Sequence, residues 1–345
     1  MYREKLFIKL IKERNVKKST IRGYYTSLKS YTNFCEMNLQ ELYDEAIADE
    51  KSIVLLKNRR LKQRLIDYRS YLINKNIASS TIKNYMSKIT TFYNHFMIEI
   101  PQLPQIKYEK GYEISYEDLP SRTDIKKVLD IVPLDFKSLI LFMVSSGTAK
   151  SETLSLTVGD FLKATHEYHS STSIIGSLNE LSNKKDIVPT FYIKRFKTDK
   201  YYHTFCTPEA TNFIVKYLKT RDSLKMEDKL FPFTDSTLVK KFELINDYFG
   251  WGFKGYYRFF RSHVLRKYHA SNIGLPEEII DELEGRGKNK IHDTYIKTNP
   301  IKLKKIYKKY MHNVTIYQND KMREEIHEEI NITINIFIAD SHISL

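Results

Sequence analysis

Residues 101–115, PQLPQIKYEKGYEIS, interrupt the helical periodicity of the chain with two prolines and a glycine. A proline lacks the backbone N–H that a helix or inner strand uses and pushes the residue before it toward extended backbone, so regular structure cannot run through this stretch. The break divides the 345 residues into a helical segment at 1–100, a linker at 101–115, a larger segment at 116–300 and a C-terminal segment at 301–345. That length suits two domains of ordinary size.

The segment before the break reads as helices. Ser19 precedes Ile21, Tyr24, Leu28 and Tyr31, and Ser80 precedes Ile82, Tyr85, Ile89, Phe92 and Phe96. Each serine is a capping candidate followed by an apolar stripe at helical spacing. STIRGYYTSLKSY and STIKNYMSKITTF also echo one another, which suits two similar helix hairpins in one small bundle. Their aromatics read as core. Lys17, Lys18, Arg22, Lys75 and Lys83 lie close to the two helix starts, where phosphate oxygens could also meet backbone N–H groups. The same residues equally suit a solvated basic face.

Beyond the break, EDLPSRTDIKKVLDIV opens a helix and FKSLILFMVSSG reads as a largely buried one ending at Gly147. IVPTFYIKRFKTDKYYHTFCT, residues 187–207, has the β-branched and aromatic content of two strands, with KTDK as their turn. A helix follows from Pro208 through Leu218, and KGYYRFFRSHVLRKYHASNIG, residues 254–274, is dense in basic and aromatic side chains. The fold class is therefore mainly α with a small β-sheet.

With 56 Lys and Arg against 42 Asp and Glu, the net charge of +14 favours anionic partners. No apolar run is long enough to span a bilayer, and the start MYREKLFIKLIKERN lacks the pattern of a secretory signal, so no membrane partner is expected and the protein should work inside the cell, in the cytoplasm or at the nucleoid. Cys35 and Cys206 lie far apart and read as buried or half-buried thiols rather than a disulfide or zinc pair. There is no P-loop, dinucleotide fingerprint or two-metal carboxylate cluster, so neither a cofactor nor a metal is expected.

The chemistry concentrates in a few segments. HVLR places His263 and Arg266 on one helix face, a proton-transfer or hydrogen-bonding group beside a fork that can grip two phosphate oxygens. Lys197 stands in the turn between the expected strands, Gly285–Arg286 marks a helix end, and Tyr295 follows in KIHDTYIKTNP. In this order the segments resemble the tyrosine recombinase/phage integrase family, particularly its archaeal-type and Xer-like members, over about residues 12–300. The resemblance implies an N-terminal helical core-binding domain joined to an α/β catalytic domain, and site-specific strand exchange through a covalent 3′-phosphotyrosine.

By that resemblance Tyr295 is the nucleophile, Lys197 the proton donor to the leaving 5′-oxygen, and His263, Arg266 and Arg286 the groups around the phosphate. Arg286 stands where the family commonly has histidine or tryptophan. SSGTAKSETLSL matches the segment carrying the family's first arginine, three residues before a glutamate, yet that position relative to Glu152 is Ala149. Lys150, next door, is the candidate replacement. Glu152 reads as orienting a basic neighbour or capping backbone, and Asp160 as ending a turn. Lys17, Lys18, Arg22, Lys75 and Lys83 become candidate DNA contacts.

The expected partner is double-stranded DNA with specific recombination sites, bound by a homodimer on one site and a homotetramer in the synaptic complex. IKLKKIYKKYMHN begins as a basic amphipathic helix and INITINIFIADSHISL alternates like a strand; both suit docking on a neighbouring subunit or packing within the chain. Two other functions fit the same residues: a DNA-binding regulator descended from an inactivated recombinase, which Ala149 would favour, and a type IB topoisomerase-like nicking and resealing enzyme.

Overall fold

The computed structural model describes residues 4–108, 111–286 and 299–317. The chain divides into two compact units, residues 1–113 and 114–345.

The first unit is a bundle of α1 (Lys5–Arg14), α2 (Lys18–Cys35), α3 (Leu39–Lys51), α4 (Arg60–Asn74) and α5 (Ser79–His95). Leu28, Tyr31, Ile89 and Phe92 of the expected stripes are inaccessible to solvent, and Leu65 and Tyr68 of α4 join them in the core. The Tyr31 ring meets Tyr68 edge-on at 5.1 Å between centroids, and its hydroxyl lies 3.3 Å from that of Tyr93. Ser19 and Ser80 are not caps. The last extended residues are Lys17 and Ala78, so each serine is already second in its helix and neither start has a side-chain cap.

Gly23 lets α2 approach Lys88 of α5, since a Cβ there would lie 2.8 Å from the lysine Cε. The contacts Gly23–Lys88 and Tyr31–Tyr93 advance in the same sense along both helices, so α2 and α5 start at one end of the bundle. Lys17, Lys18, Arg22, Lys75 and Lys83 are exposed at or near those two starts. Lys75 lies over the Tyr71 ring at 4.5 Å and Lys83 over Tyr108 at 5.2 Å.

The second unit comprises α6 (Arg122–Ile131), α7 (Leu134–Ser146), the single turn α8 (Lys150–Thr153), α9 (Val158–Ala164), α10 (Ile174–Ser182), β1 (Thr190–Arg195), β2 (Lys200–Phe205), α11 (Pro208–Lys219), α12 (Asp235–Phe249), β3 (Phe253–Lys254), β4 (Tyr257–Arg258), α13 (Ser262–Asn272), α14 (Glu277–Leu283) and α15 (Pro300–Tyr310). The fold is mainly helical with two small antiparallel sheets. Every residue of α7 from Ser138 to Ser146 is buried, because a helix apolar all round must lie inside. It packs against α11 and α13 and carries the core of the unit.

β1 and β2 form a hairpin in the register Thr190↔Phe205 to Arg195↔Lys200, leaving residues 196–199 as the turn. The β3–β4 hairpin was not expected, since two-residue strands show no alternation and only Gly255, at φ 57°, marks its turn. Asp160 starts a helix rather than ending a turn: its carboxylate accepts the Thr157 N–H at 2.9 Å while Thr157 caps the Asp160 N–H. Helix α15 packs within its own chain, burying Leu303 and Tyr307 against Val188 and Phe205 and donating the Tyr307 hydroxyl to the Ser145 carbonyl at 2.8 Å. The C-terminal alternating segment lies outside the described residues.

Candidate active site

Helix α7 ends at Gly147, which adopts φ 65°. A Cβ at this glycine would lie 2.4 Å from His269 Nδ1 and 2.8 Å from Glu284 Oε1, so both the left-handed backbone and the close packing require glycine. The Gly147 carbonyl is thereby free to accept a 2.6 Å hydrogen bond from Arg266 Nη1. Arg266 also donates from Nη2 to the Glu284 carbonyl at 2.8 Å and pairs through Nε with Glu284 Oε2 at 3.0 Å. The guanidinium is thus fixed from three directions, with one further N–H on each terminal nitrogen.

Glu284 is wholly buried at the end of α14. One oxygen meets His269 Nδ1 at 3.0 Å, and the other accepts from Arg286 Nε at 2.8 Å as well as from Arg266. Burial pushes its carboxyl up, but the His269 hydrogen bond, the His269 charge and the guanidinium groups of Arg266 and Arg286 outweigh burial and hold it below the ordinary carboxylate range. Gly285, at φ 60°, turns the chain so that Arg286 follows; a Cβ there would lie 2.5 Å from the Tyr202 ring.

The lowered pKa of Glu284 carries a stability consequence with a definite sign. Its contribution is fully present above the ordinary value of about 4.3 and is lost as pH falls through the lower folded value. We expect the melting temperature of the wild type to drop below about pH 4. Glu284→Gln should lower stability at pH 7 by about 2 kcal/mol and melt with a shallower acid limb; equal curves for the two proteins would refute this role.

On the other side stands the β1–β2 hairpin. Along β1, Phe191 and Ile193 point into the core, and Arg195 continues that face with a side chain only 14% exposed. Arg195 Nη1 donates to both carboxylate oxygens of Glu152, 3.2 Å each. Glu152, 2% exposed, also accepts from the Ala149 N–H at 3.1 Å and the Tyr202 hydroxyl at 3.1 Å. It therefore caps backbone and orients a basic neighbour, and that neighbour is Arg195.

Together these elements enclose a cleft of about 440 Å³ lined by Arg195, Lys197, Thr198, His263, Arg266, Lys267 and Arg286. Five of the seven are permanent or near-permanent cations, and two of the carboxylates that pair with them, Glu152 and Glu284, are buried. Such a surface is built for an anion carrying several oxygens. His263 is exposed by area, yet partial withdrawal of its imidazole from water, followed by the charges of Arg261, Lys267 and Arg266, lowers its pKa and so favours the neutral ring, the form that can accept a proton.

Of the residues singled out in the sequence, Lys197, His263, Arg266 and Arg286 line this one cleft. Lys150 does not. It pairs with Asp235 at 2.6 Å and lines a neighbouring cleft with His263, Lys267 and the aromatics of the β3–β4 hairpin. Tyr295 lies outside the described residues. Sequence reasoning missed Arg195, Lys267 and the buried acceptor Glu284; for Arg195 the in–out alternation Phe191, Ile193, Arg195 was the available signal.

No family model matches the chain. A curated relative, "TnP I resolvase" from Bacillus thuringiensis, is 23% identical over 313 residues, spanning 87% of this chain and 95% of the relative. Among solved structures, a lambda integrase (75–356) dimer bound to a COC′ core site is 11% identical and superposes with a TM-score of 0.51 over 84% of this chain and 95% of that one. The XerH site-specific recombinase in a post-cleavage complex with a palindromic difH substrate gives 17% identity and a TM-score of 0.50 over 88% and 79%. A lambda integrase tetramer bound to a Holliday junction gives 12% and 0.51 over 84% and 75%. The chain therefore has the fold of site-specific recombinases and integrases, as the sequence resemblance implied.

Proposed function

We propose that the chain is a tyrosine-type site-specific DNA recombinase that cuts and rejoins strands through a 3′-phosphotyrosine. One observation carries this reading: Lys197, His263, Arg266 and Arg286, spread over 90 positions, converge on one cationic cleft within a recombinase-like fold. The scissile phosphate would occupy the cleft, with its non-bridging oxygens toward Arg266 and Arg286 and the helix-start lysines and Arg22 of the first unit holding flanking phosphates. Net positive charge supplies salt-sensitive affinity, and contacts to base edges supply the site preference.

In the reaction, the Tyr295 Oη–P bond forms and the P–O5′ bond breaks. The phenol proton passes to the neutral imidazole of His263, and the ammonium of Lys197 protonates the departing O5′, where developing charge makes expulsion costly. The cations stabilise the charge building on the phosphorus oxygens. A 5′-hydroxyl from a partner strand then reverses both transfers, so the linkage energy is conserved without a nucleotide cofactor.

The partner in this reading is duplex DNA bearing specific sites, held by a dimer on each site and a tetramer on the paired sites. No helix among the described residues is long and apolar enough to cross a membrane, and the activity belongs wherever the cell keeps its DNA. The rival regulator reading draws on Ala149 in place of an arginine.

The test is to select duplexes bound by the protein from a randomised library and assay paired copies for exchanged ends. Site-dependent joint products from the wild type and none from Tyr295→Phe are expected. Relaxation of supercoiled plasmid without joint products would favour the topoisomerase reading, and tight binding with neither would favour the regulator.

A further inference from the structure

We propose that Arg195, reaching from the end of β1, is a second phosphate-binding guanidinium of the cleft and takes over the work of the arginine that Ala149 lacks. This rests on the recombinase reading above. Lys150, the neighbour in sequence, pairs with Asp235 and lines the adjacent cleft, whereas Arg195 lines the same cleft as Lys197, His263, Arg266 and Arg286.

The geometry supplies three reasons. First, Arg195 is anchored to the segment where the arginine is absent: its Nη1 spans both oxygens of Glu152, and Glu152 in turn holds the Ala149 N–H. The guanidinium is therefore brought by tertiary structure to a place that the local sequence left without one. Second, its remaining nitrogens, Nε and Nη2, make no hydrogen bond among the described residues, so the anchored group still has N–H donors to offer. Third, Arg195 and Arg266 converge on one acceptor: both donate to the Glu284 carbonyl oxygen, Arg195 at 3.5 Å and Arg266 at 2.8 Å. Two like charges held this close, with Glu152 and Glu284 as buried counter-ions, are arranged to share a dianionic transition state more strongly than a singly charged ground state.

A lysine here would keep the charge but lose the planar fork, since an ammonium cannot hold Glu152 and phosphate in one plane. Ala149 fits the same arrangement. Its methyl leaves the turn small, and an arginine at that position would compete with Arg195 for Glu152 and the phosphate.

The experiment uses the full chain on a nicked suicide duplex of its selected site, comparing wild type, Arg195→Ala, Arg195→Lys and the double variant Arg195→Ala/Ala149→Arg. Each is melted first to confirm folding, and single-turnover formation of the covalent adduct is then timed. Arg195→Ala is expected to slow the adduct step by about 10²–10³-fold with DNA binding changed far less. Arg195→Lys should fall between, and Ala149→Arg should restore at least a tenth of the lost rate.

The decisive arm replaces one non-bridging oxygen of the scissile phosphate with a methyl group, which removes the ground-state charge. If Arg195 contacts that phosphate, the penalty of Arg195→Ala shrinks at least tenfold on the neutral substrate. A penalty identical on both substrates, or an Arg195→Ala adduct rate within about twofold of wild type, overturns the proposal and leaves Arg195 as a brace for Glu152. An unfolded Arg195→Ala transfers the same comparison to Arg195→Lys. Absence of any adduct from the wild type would instead overturn the recombinase reading, and this inference with it.

Discussion

Arg266→Ala is expected to reduce strand cleavage strongly and to destabilise the second unit at the same time. The side chain is buried and meets three acceptors, the Gly147 carbonyl at the end of α7 and the carbonyl and carboxylate of Glu284 at the end of α14. Removing it strands a buried carboxylate beside His269 and Arg286, a change that typically costs about 3–5 kcal/mol. On the recombinase reading, loss of its contact to the phosphate adds a catalytic penalty of about 10³-fold or more, because the donor is preorganised by those same bonds. The two effects separate in Arg266→Lys, which retains the charge but lacks the planar fork that fits these acceptors. Melting and single-turnover cleavage of both variants check this: a stable, active Arg266→Ala protein would contradict the placement of the phosphate.

Gly147→Ala is the second large effect, and it acts through packing. Left-handed backbone costs a non-glycine residue about 1–2 kcal/mol, and the added carbon would stand 2.4 Å from His269 Nδ1, so overpacking contributes about 1–3 kcal/mol more. At about 2–4 °C per kcal/mol for a unit of this size, the melting temperature should fall by roughly 4–20 °C. Relief of the clash by pushing α13 away would also move His263 and Arg266, which share that helix. Cleavage below the unfolding temperature should therefore drop as well. Thermal melting combined with cleavage at 20 °C reads both, and an unchanged melting temperature would show that the glycine is dispensable.

The parts of the site legible in the sequence are those fixed by local rules. The glycine closing α7, the i and i+3 placement of His263 and Arg266, and Lys197 in a turn between two aromatic-rich strands follow from helix periodicity and turn chemistry, and the structure has each of them. The helix starts near Ser19 and Ser80 were displaced because serine in the second position satisfies the same polar pattern as a serine cap. The β3–β4 hairpin was invisible because two residues per strand cannot show a period.

What the sequence did not reveal is convergence. Arg195 lies 43 positions from Glu152, and Glu284 lies 18 from Arg266; nothing in local spacing says that these pairs meet. The reading of Lys150 as the substitute for an absent arginine followed adjacency along the chain. In space a guanidinium from the strand reaches Glu152 of that turn, and the lysine pairs with Asp235.

The most direct test of the recombinase reading is to trap the protein on a suicide duplex of its selected site, without added metal, digest the complex and map the modified peptide by mass spectrometry. The expected result is a 3′-phosphate ester on Tyr295, absent from Tyr295→Phe and strongly reduced in Arg266→Ala. An adduct on another side chain, or tight specific binding with no adduct from a fully folded wild-type protein, would contradict it.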